Sequence, residues 1–317
     1  MTNQTINQHV VPRLWLKWFS WNQKQTSTFV YNKIEGNVKG SKKLMDVAVH
    51  DNFYDFHPDI LKELMDVGAL SEGQEQFVEK QFFAYGIEKK FGPLLKNVLN
   101  SLDSNTTKKN MISGENRQAL SAQLSVQFFR TTALKKCITR ILSLINKYAK
   151  EKGIKDFEVD VIKEKEIYHY MLMSDLDTLV DFASTLYNRT WTIYKTTSSV
   201  PFVISDNPIV VHGTGILGNS ICIPLSKNYL LAAHSLTDKN KLVDNCLIDA
   251  QPSLVKIFNN LQYCQCDEGV FSSKNDFEWI DKTSSLSPRN HGFSFDLSDE
   301  VLEPFIRNLV EKKLQAK

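Results

Sequence analysis

The stretch from Gln8 to Phe19, QHVVPRLWLKWF, restricts the backbone more than any other part of the chain. Pro12 fixes its own φ, holds Val11 extended and is tolerated in the first turn of a helix. Gln8 to Val11 is therefore expected to run as a strand straight into a short helix. Leu14, Trp15, Trp18 and Phe19 fall at helical spacing and bury one face, leaving Arg13 and Lys17 pointing elsewhere. His9 then sits at the strand-to-helix corner. An imidazole beside helix-terminal N–H groups and a guanidinium suits a phosphate or another anion.

The remainder of the chain supplies a core for that corner. With 42% hydrophobic residues in a length of 317, one large domain or two modest ones would fold without covalent staples. No linker separates independent units, so 1–317 is read as a single α+β domain. Its subregions are 1–57 (opening motif and hairpin), 58–188 (helical) and 189–317 (a small mixed sheet with flanking helices). The five cysteines are odd in number and lack a Cys-x-x-Cys spacing, which fits a reducing cytoplasm. The amino terminus is polar and no apolar run approaches about 20 residues, so neither secretion nor membrane spanning is expected. A formal charge of +2 gives no global reason for nucleic-acid binding; any such contact would be local.

Along the chain, Thr28 to Lys33 alternates as a strand, Glu35-Gly36-Asn37 supplies a turn, and Lys43 to Val49 is expected to return as the second strand of a hairpin. Phe53, Tyr54 and Phe56 crowd an irregular segment that ends where Pro58 opens a helix. Helical spacing then runs from Glu72 to Leu102. Glu79 and Glu88, nine positions apart on it, would face opposite sides of an α-helix, each toward solvent. After a polar loop from Asp103 to Gly114, Glu115 to Lys152 reads as the longest helix, with Arg130 in its middle. Val161 to Asn188 reads as one more. Trp191 to Lys195, Phe202 to Ser205, Ser220 to Ile223 and Tyr229 to Ala233 are short β segments, Leu242 to Leu261 returns to helix despite Pro252, and Tyr263 to Ser272 is a final strand or loop. Leu286 to Asp299 is turn-rich, and the tail from Asp299 to Lys317 closes as an amphipathic helix.

A second polar cluster ends the strand of Phe202 to Val210, FVISDNPIV. Pro208 keeps Asn207 extended or turn-like. Ser205, Asp206 and Asn207 either carry chemistry at a strand end or form an Asx turn that satisfies local backbone N–H groups. His50 and His57 would share a metal only if their loop folded back. The run His212 to Gly218, HGTGILG, has the wrong glycine spacing for a phosphate loop and reads as a hairpin loop. No Walker loop, Gly-x-Gly-x-x-Gly, Gly-x-Ser-x-Gly or His-Glu-x-x-His motif is present.

Taken in order, His9, Val11, Pro12, Arg13, Trp15, Leu16 and Phe19, then Phe53-Tyr54, Phe129-Arg130-Thr131, Trp191, Phe202 with Ser205-Asp206-Asn207-Pro208, and Pro224-Leu225-Ser226 resemble the prokaryote-rich domain of unknown function 4238. Trp15 stands where tyrosine is usual, and Gln8 where many members carry a second histidine. That resemblance implies no established activity. The His-x-Val-Pro opening also looks like the first motif of some His-Asn-His nucleases, although no Asn-x-x-x-His half follows the hairpin.

Two expectations of function follow. In the first, the protein is a hydrolytic, nuclease-like effector in a prokaryotic defence or toxin role. His9 is its general base, Asp206 a metal ligand or an orienter of His9, and Arg13 and Arg130 neutralise phosphate charge. Ser205 and Asn207 bind substrate, and a divalent metal such as Mg²⁺ would serve such chemistry. In the second, the protein is a non-catalytic binding protein, and His9, Arg13, Arg130 and Asp206 form a polar network fixing the opening helix to the sheet.

Overall fold

The computed structural model describes residues 7–68, 71, 76, 78–154, 158–197, 199–213, 219–236, 242–282, 303–304 and 306–308. Strand β1 (Asn7–His9) leads through Pro12, at φ −54° and ψ 131°, into helix α1 (Arg13–Leu16) and a 3-10 turn, Lys17–Phe19. The proline corner thus forms, although the strand, expected to run to Val11, ends at His9. β2 (Ser27–Asn32) and β3 (Asn37–Lys43) make the hairpin. The second strand was expected at Lys43 to Val49 and lies earlier. Gly36 takes φ 68° in the turn, so pairing resumes at once at Asn37, and a bulge at Lys39 precedes Gly40 at φ 73°. NVKGSKK shows no apolar alternation because β3 is an edge strand, mostly solvent-facing. A 3-10 turn, Leu44–Asp46, then delivers the chain to β4 (Val49–Asp51), which pairs antiparallel with β1 and sets Gln8 opposite His50.

Helix α2 (Pro58–Asp66) begins at the expected proline, with His57 accepting from the Asp59 N–H. A π-helix, Val78–Glu88, continues into α3 (Lys89–Ser104), which carries Pro93 without ending. The run expected as one helix from Glu115 to Lys152 is two, α4 (Gly114–Phe129) and α5 (Thr132–Glu151). Arg130 leaves the helical conformation, and extended Thr131 caps α5 through its hydroxyl, which accepts from Leu134 N–H. α6 (Val161–Ser174) and α7 (Leu176–Asn188) are likewise divided, here at Asp175, whose carboxylate accepts from Thr178 N–H.

The carboxy-terminal region supplies β5 (Thr190–Thr196), β6 (Ile204–Ser205), β7 (Val210–His212), β8 (Ser220–Pro224), β9 (Tyr229–His234), β10 (Cys246–Ala250), α8 (Pro252–Gln265) and β11 (Gly269–Ser272). The order β10-β5-β9-β8-β7 forms one sheet, in which only β10 and β5 run parallel. The order β3-β2-β11-β6 forms another, so late strands extend the early hairpin. The expected helix from Leu242 starts only at Pro252, at the N-terminal position where a missing N–H costs nothing; Cys246–Ala250 is a strand instead. Gly269 admits no side chain, because a Cβ there would lie 2.7 Å from the Tyr31 carbonyl oxygen.

The arrangement is α+β, with early strands, a helical middle and a late sheet. One buried cluster joins Val10, Trp15 and Phe19 to Leu95, Leu124, Trp191 and Phe271. The turn-rich segment 286–299 and most of the tail, 299–317, lie outside the described residues, although Ile306 packs on Leu144 and Tyr148. Among the described residues no helix is long and apolar enough to cross a membrane.

Candidate acid–base site

The break between α4 and α5 aims Arg130 inward, where it is 1% exposed. Its Nε donates to the Tyr54 hydroxyl at 2.8 Å, Nη1 to Glu88 at 2.7 Å and Nη2 to the backbone carbonyl of His9 at 2.6 Å. The guanidinium also lies over the Phe83 ring, 3.9 Å from its centroid. Burial alone would weaken its hold on the proton, but Tyr54, Glu88 and Glu79 raise its pKa. Hydrogen bonds to a charged group contribute about 1.5–3 kcal/mol each, so this arginine fastens the proline corner to the helical middle. Gln127 adds a bond to the Val10 carbonyl at 2.8 Å, and buried Gln8 holds both Asp55 and the Tyr54 N–H at 2.6 Å.

The π-helix explains the carboxylates. An i→i+5 helix takes roughly 4.4 residues per turn, so positions 79 and 88 are two turns apart and share a face. In an α-helix they would not. Glu88 pairs with Arg130, while Glu79 Oε2 lies 4.0 Å from Arg130 Nη2, buried and without a hydrogen-bond partner. Burial pushes the Glu79 carboxyl up to about 7; Arg130 opposes this, and Glu88 and Asp55 reinforce it.

The His9 ring is half-buried, and its Nε2 lies 3.2 Å from the Leu44 carbonyl oxygen. A carbonyl only accepts, so Nε2 carries the hydrogen and Nδ1 is the proton-accepting nitrogen. Burial lowers its pKa to about 4 against that bond, with Arg13 and Arg130 pulling the same way as burial. Arg13 is exposed, and among the described residues no hydrogen bond or ion pair engages it. The His9 backbone and the Glu79 carboxyl thus lie against one buried arginine, and the Arg13 charge is felt by both the His9 imidazole and Glu79. Such a set can accept a proton, donate one and hold an anion.

Asp206 belongs to a different construction. Its carboxylate accepts from the backbone N–H groups of Asp267, Glu268 and Gly269 at 2.9, 2.5 and 3.1 Å. Burial raises its pKa to about 6, against those three bonds. The group that orients His9 is the Leu44 carbonyl, not Asp206. The Ser205 hydroxyl lies 2.7 Å from Gln262 Oε1 and 2.8 Å from the Asn207 carbonyl, and Asn207 donates to the Gln265 carbonyl at 3.0 Å. All three side chains are buried; Ser205 and Asn207 fasten the end of β6 to α8, whose Gln265 in turn holds Val211 of β7. The local Asx turn expected here does not form: the N–H groups that Asp206 accepts from lie about sixty residues later, in the turn before β11, which it clamps.

His50 and His57 part company: His50 Nε2 meets the Thr132 hydroxyl at 3.1 Å, while His57 caps α2. Among the described residues no three His, Cys, Asp or Glu side chains gather to hold a metal ion. Sequence reasoning did not assign Tyr54, Glu79, Glu88 or His169 to the site. His169 is buried on the same aromatic cluster, its Nε2 3.1 Å from the Phe129 carbonyl, and burial with nearby Lys135 lowers its pKa to about 3. The Arg-Thr-Thr run carried a usable signal, since a threonine before an apolar period is an N-cap. Trp15, the departure from the usual tyrosine, donates its indole N–H to the Pro224 carbonyl at 2.9 Å and so joins the opening to the Pro-Leu-Ser segment.

The family described as "Protein of unknown function (DUF4238)" matches residues 7–276, and the chain belongs to it. No curated protein and no solved structure matches the chain.

Proposed function

We propose that this member of the family is a hydrolase of nuclease type, in which Glu79 and His9 move the protons and Arg13 holds the phosphate. The observation that carries the reading is the buried, unbonded Glu79 carboxyl oxygen, set by the π-helix beside Arg130, whose guanidinium also holds the His9 backbone. At pH 6 Glu79 is mostly protonated and His9 mostly unprotonated, the two states a general acid and a general base need. His9 Nδ1 takes a proton from water, the resulting hydroxide attacks phosphorus, and the departing oxygen takes the proton of Glu79. His9 returns its proton to solvent and Glu79 recovers one. Arg130, buried and bonded through each of its three nitrogens to Tyr54, Glu88 and the His9 carbonyl, positions this pair; it does not touch substrate. A defence or toxin role in the cytoplasm is part of the same proposal, and all five cysteines being free thiols fits a reducing compartment.

Arg130, 1% exposed and bonded through each of its three nitrogens, favours a second reading, a binding protein whose polar centre is structural. Cleavage of RNA and single- and double-stranded DNA, with and without Mg²⁺ or Mn²⁺, separates the two. Activity lost in both His9→Ala and Glu79→Gln while melting stays cooperative supports the hydrolase. Absence of cleavage by the wild type on every substrate, with no toxicity on induced expression, favours the binding protein.

A further inference from the structure

A cavity of about 210 Å³ opens between the end of the 3-10 turn, helix α3 and the β8–β9 turn. It draws on both ends of the family signature, with Lys17, Trp18 and Ser20 on one side and Ser226 to Tyr229 on the other. Three features point to an occupant. The Ser20 hydroxyl is buried, its residue 3% exposed, and has no hydrogen-bond partner. The Trp18 ring, half-buried on the wall, makes no ring contact, and Lys17 forms no ion pair, among the described residues. Among the described residues the Lys227 ammonium reaches only the Ser20 carbonyl, at 3.5 Å. Asp103, the acidic residue of the wall, accepts from the Tyr229 hydroxyl at 2.7 Å, and among the described residues no hydrogen bond reaches its other oxygen.

Two ammonium groups suit a phosphate, a carboxylate oxygen suits a sugar hydroxyl, and an unstacked indole suits a planar ring. From this combination we propose that the cavity binds a nucleoside monophosphate, with phosphate on Lys17 and Lys227, ribose at Asp103 and Ser20, and base against Trp18. At about 210 Å³ the cavity is too small for a dinucleotide. The site shares no residue with the acid–base cluster, and its test reads binding, not turnover.

The test is calorimetric titration of the whole chain with AMP, adenosine and inorganic phosphate separately. AMP is expected to saturate and to bind more tightly than either fragment. Lys17→Ala, an exposed change, should weaken AMP about tenfold at unchanged melting temperature while leaving adenosine alone, and Ser20→Ala should weaken both AMP and adenosine. Three results would each overturn the assignment: no saturable binding of any of the three, phosphate binding as tightly as AMP, or AMP affinity equal in wild type and Lys17→Ala.

Discussion

Replacing Glu79 by glutamine tests the candidate site without knowledge of its substrate. The carboxyl is pushed from its usual 4.5 to about 7 by folding. A raised folded pKa means that the native state holds a proton which the unfolded chain has released. Stability is therefore unaffected below the unfolded value and falls as pH rises from about 4.5 to 7, after which the loss is constant. At about 1.36 kcal/mol per unit, the wild type carries a penalty near 1 kcal/mol at pH 5 and about 3 kcal/mol at pH 8. Glutamine keeps the shape and never ionises, so the variant escapes it. Urea unfolding of both proteins across this range should show Glu79→Gln gaining about 2–2.5 kcal/mol on the wild type between pH 5 and pH 8. Other groups titrate identically in both and cancel in the difference. Parallel stability curves would mean that Glu79 is not held in a desolvated site, and its role as an acid near neutrality would fall with them.

His9→Ala should be mild. The network uses the His9 backbone carbonyl, so the variant loses one ring hydrogen bond to Leu44, about 1 kcal/mol. Arg130→Met should cost about 3–5 kcal/mol, because it strands Glu88 and the His9 carbonyl; chemical denaturation of the two variants gives the contrast, and equal losses would contradict the geometry. If cleavage is found, its rate should rise through about pH 4 as His9 loses its proton and fall through about pH 7 as Glu79 does. Asp206→Ala should unfold at lower denaturant, since three backbone N–H groups lose their acceptor, yet what remains folded should keep its turnover; loss of kcat at unchanged stability would return Asp206 to the chemistry.

The proline corner, the α+β class and several C-terminal strands were legible because each follows from local constraints: a fixed φ, a helical period, a run of β-branched residues. Where reading failed, longer-range pairing decided. Cys246–Ala250 is a strand because β5 lies beside it, and Asn37–Lys43 is one because a positive φ at Gly36 returns the chain early. The site was half visible. Arg130 does hold the His9 backbone, but its acidic partners are the two glutamates that an α-helical period sends to opposite faces. Only a helix wound to i→i+5 brings positions 79 and 88 together. Composition does not mark that winding. It is stable here because a buried guanidinium on another segment answers Glu88 directly and lies close to Glu79, so helix type and arginine placement each require the other. Arg130→Met should therefore perturb the π-helix as well as the corner. Amide exchange across 78–88 in that variant should speed well beyond the rate in His9→Ala; unchanged protection there would show that the winding holds without the arginine.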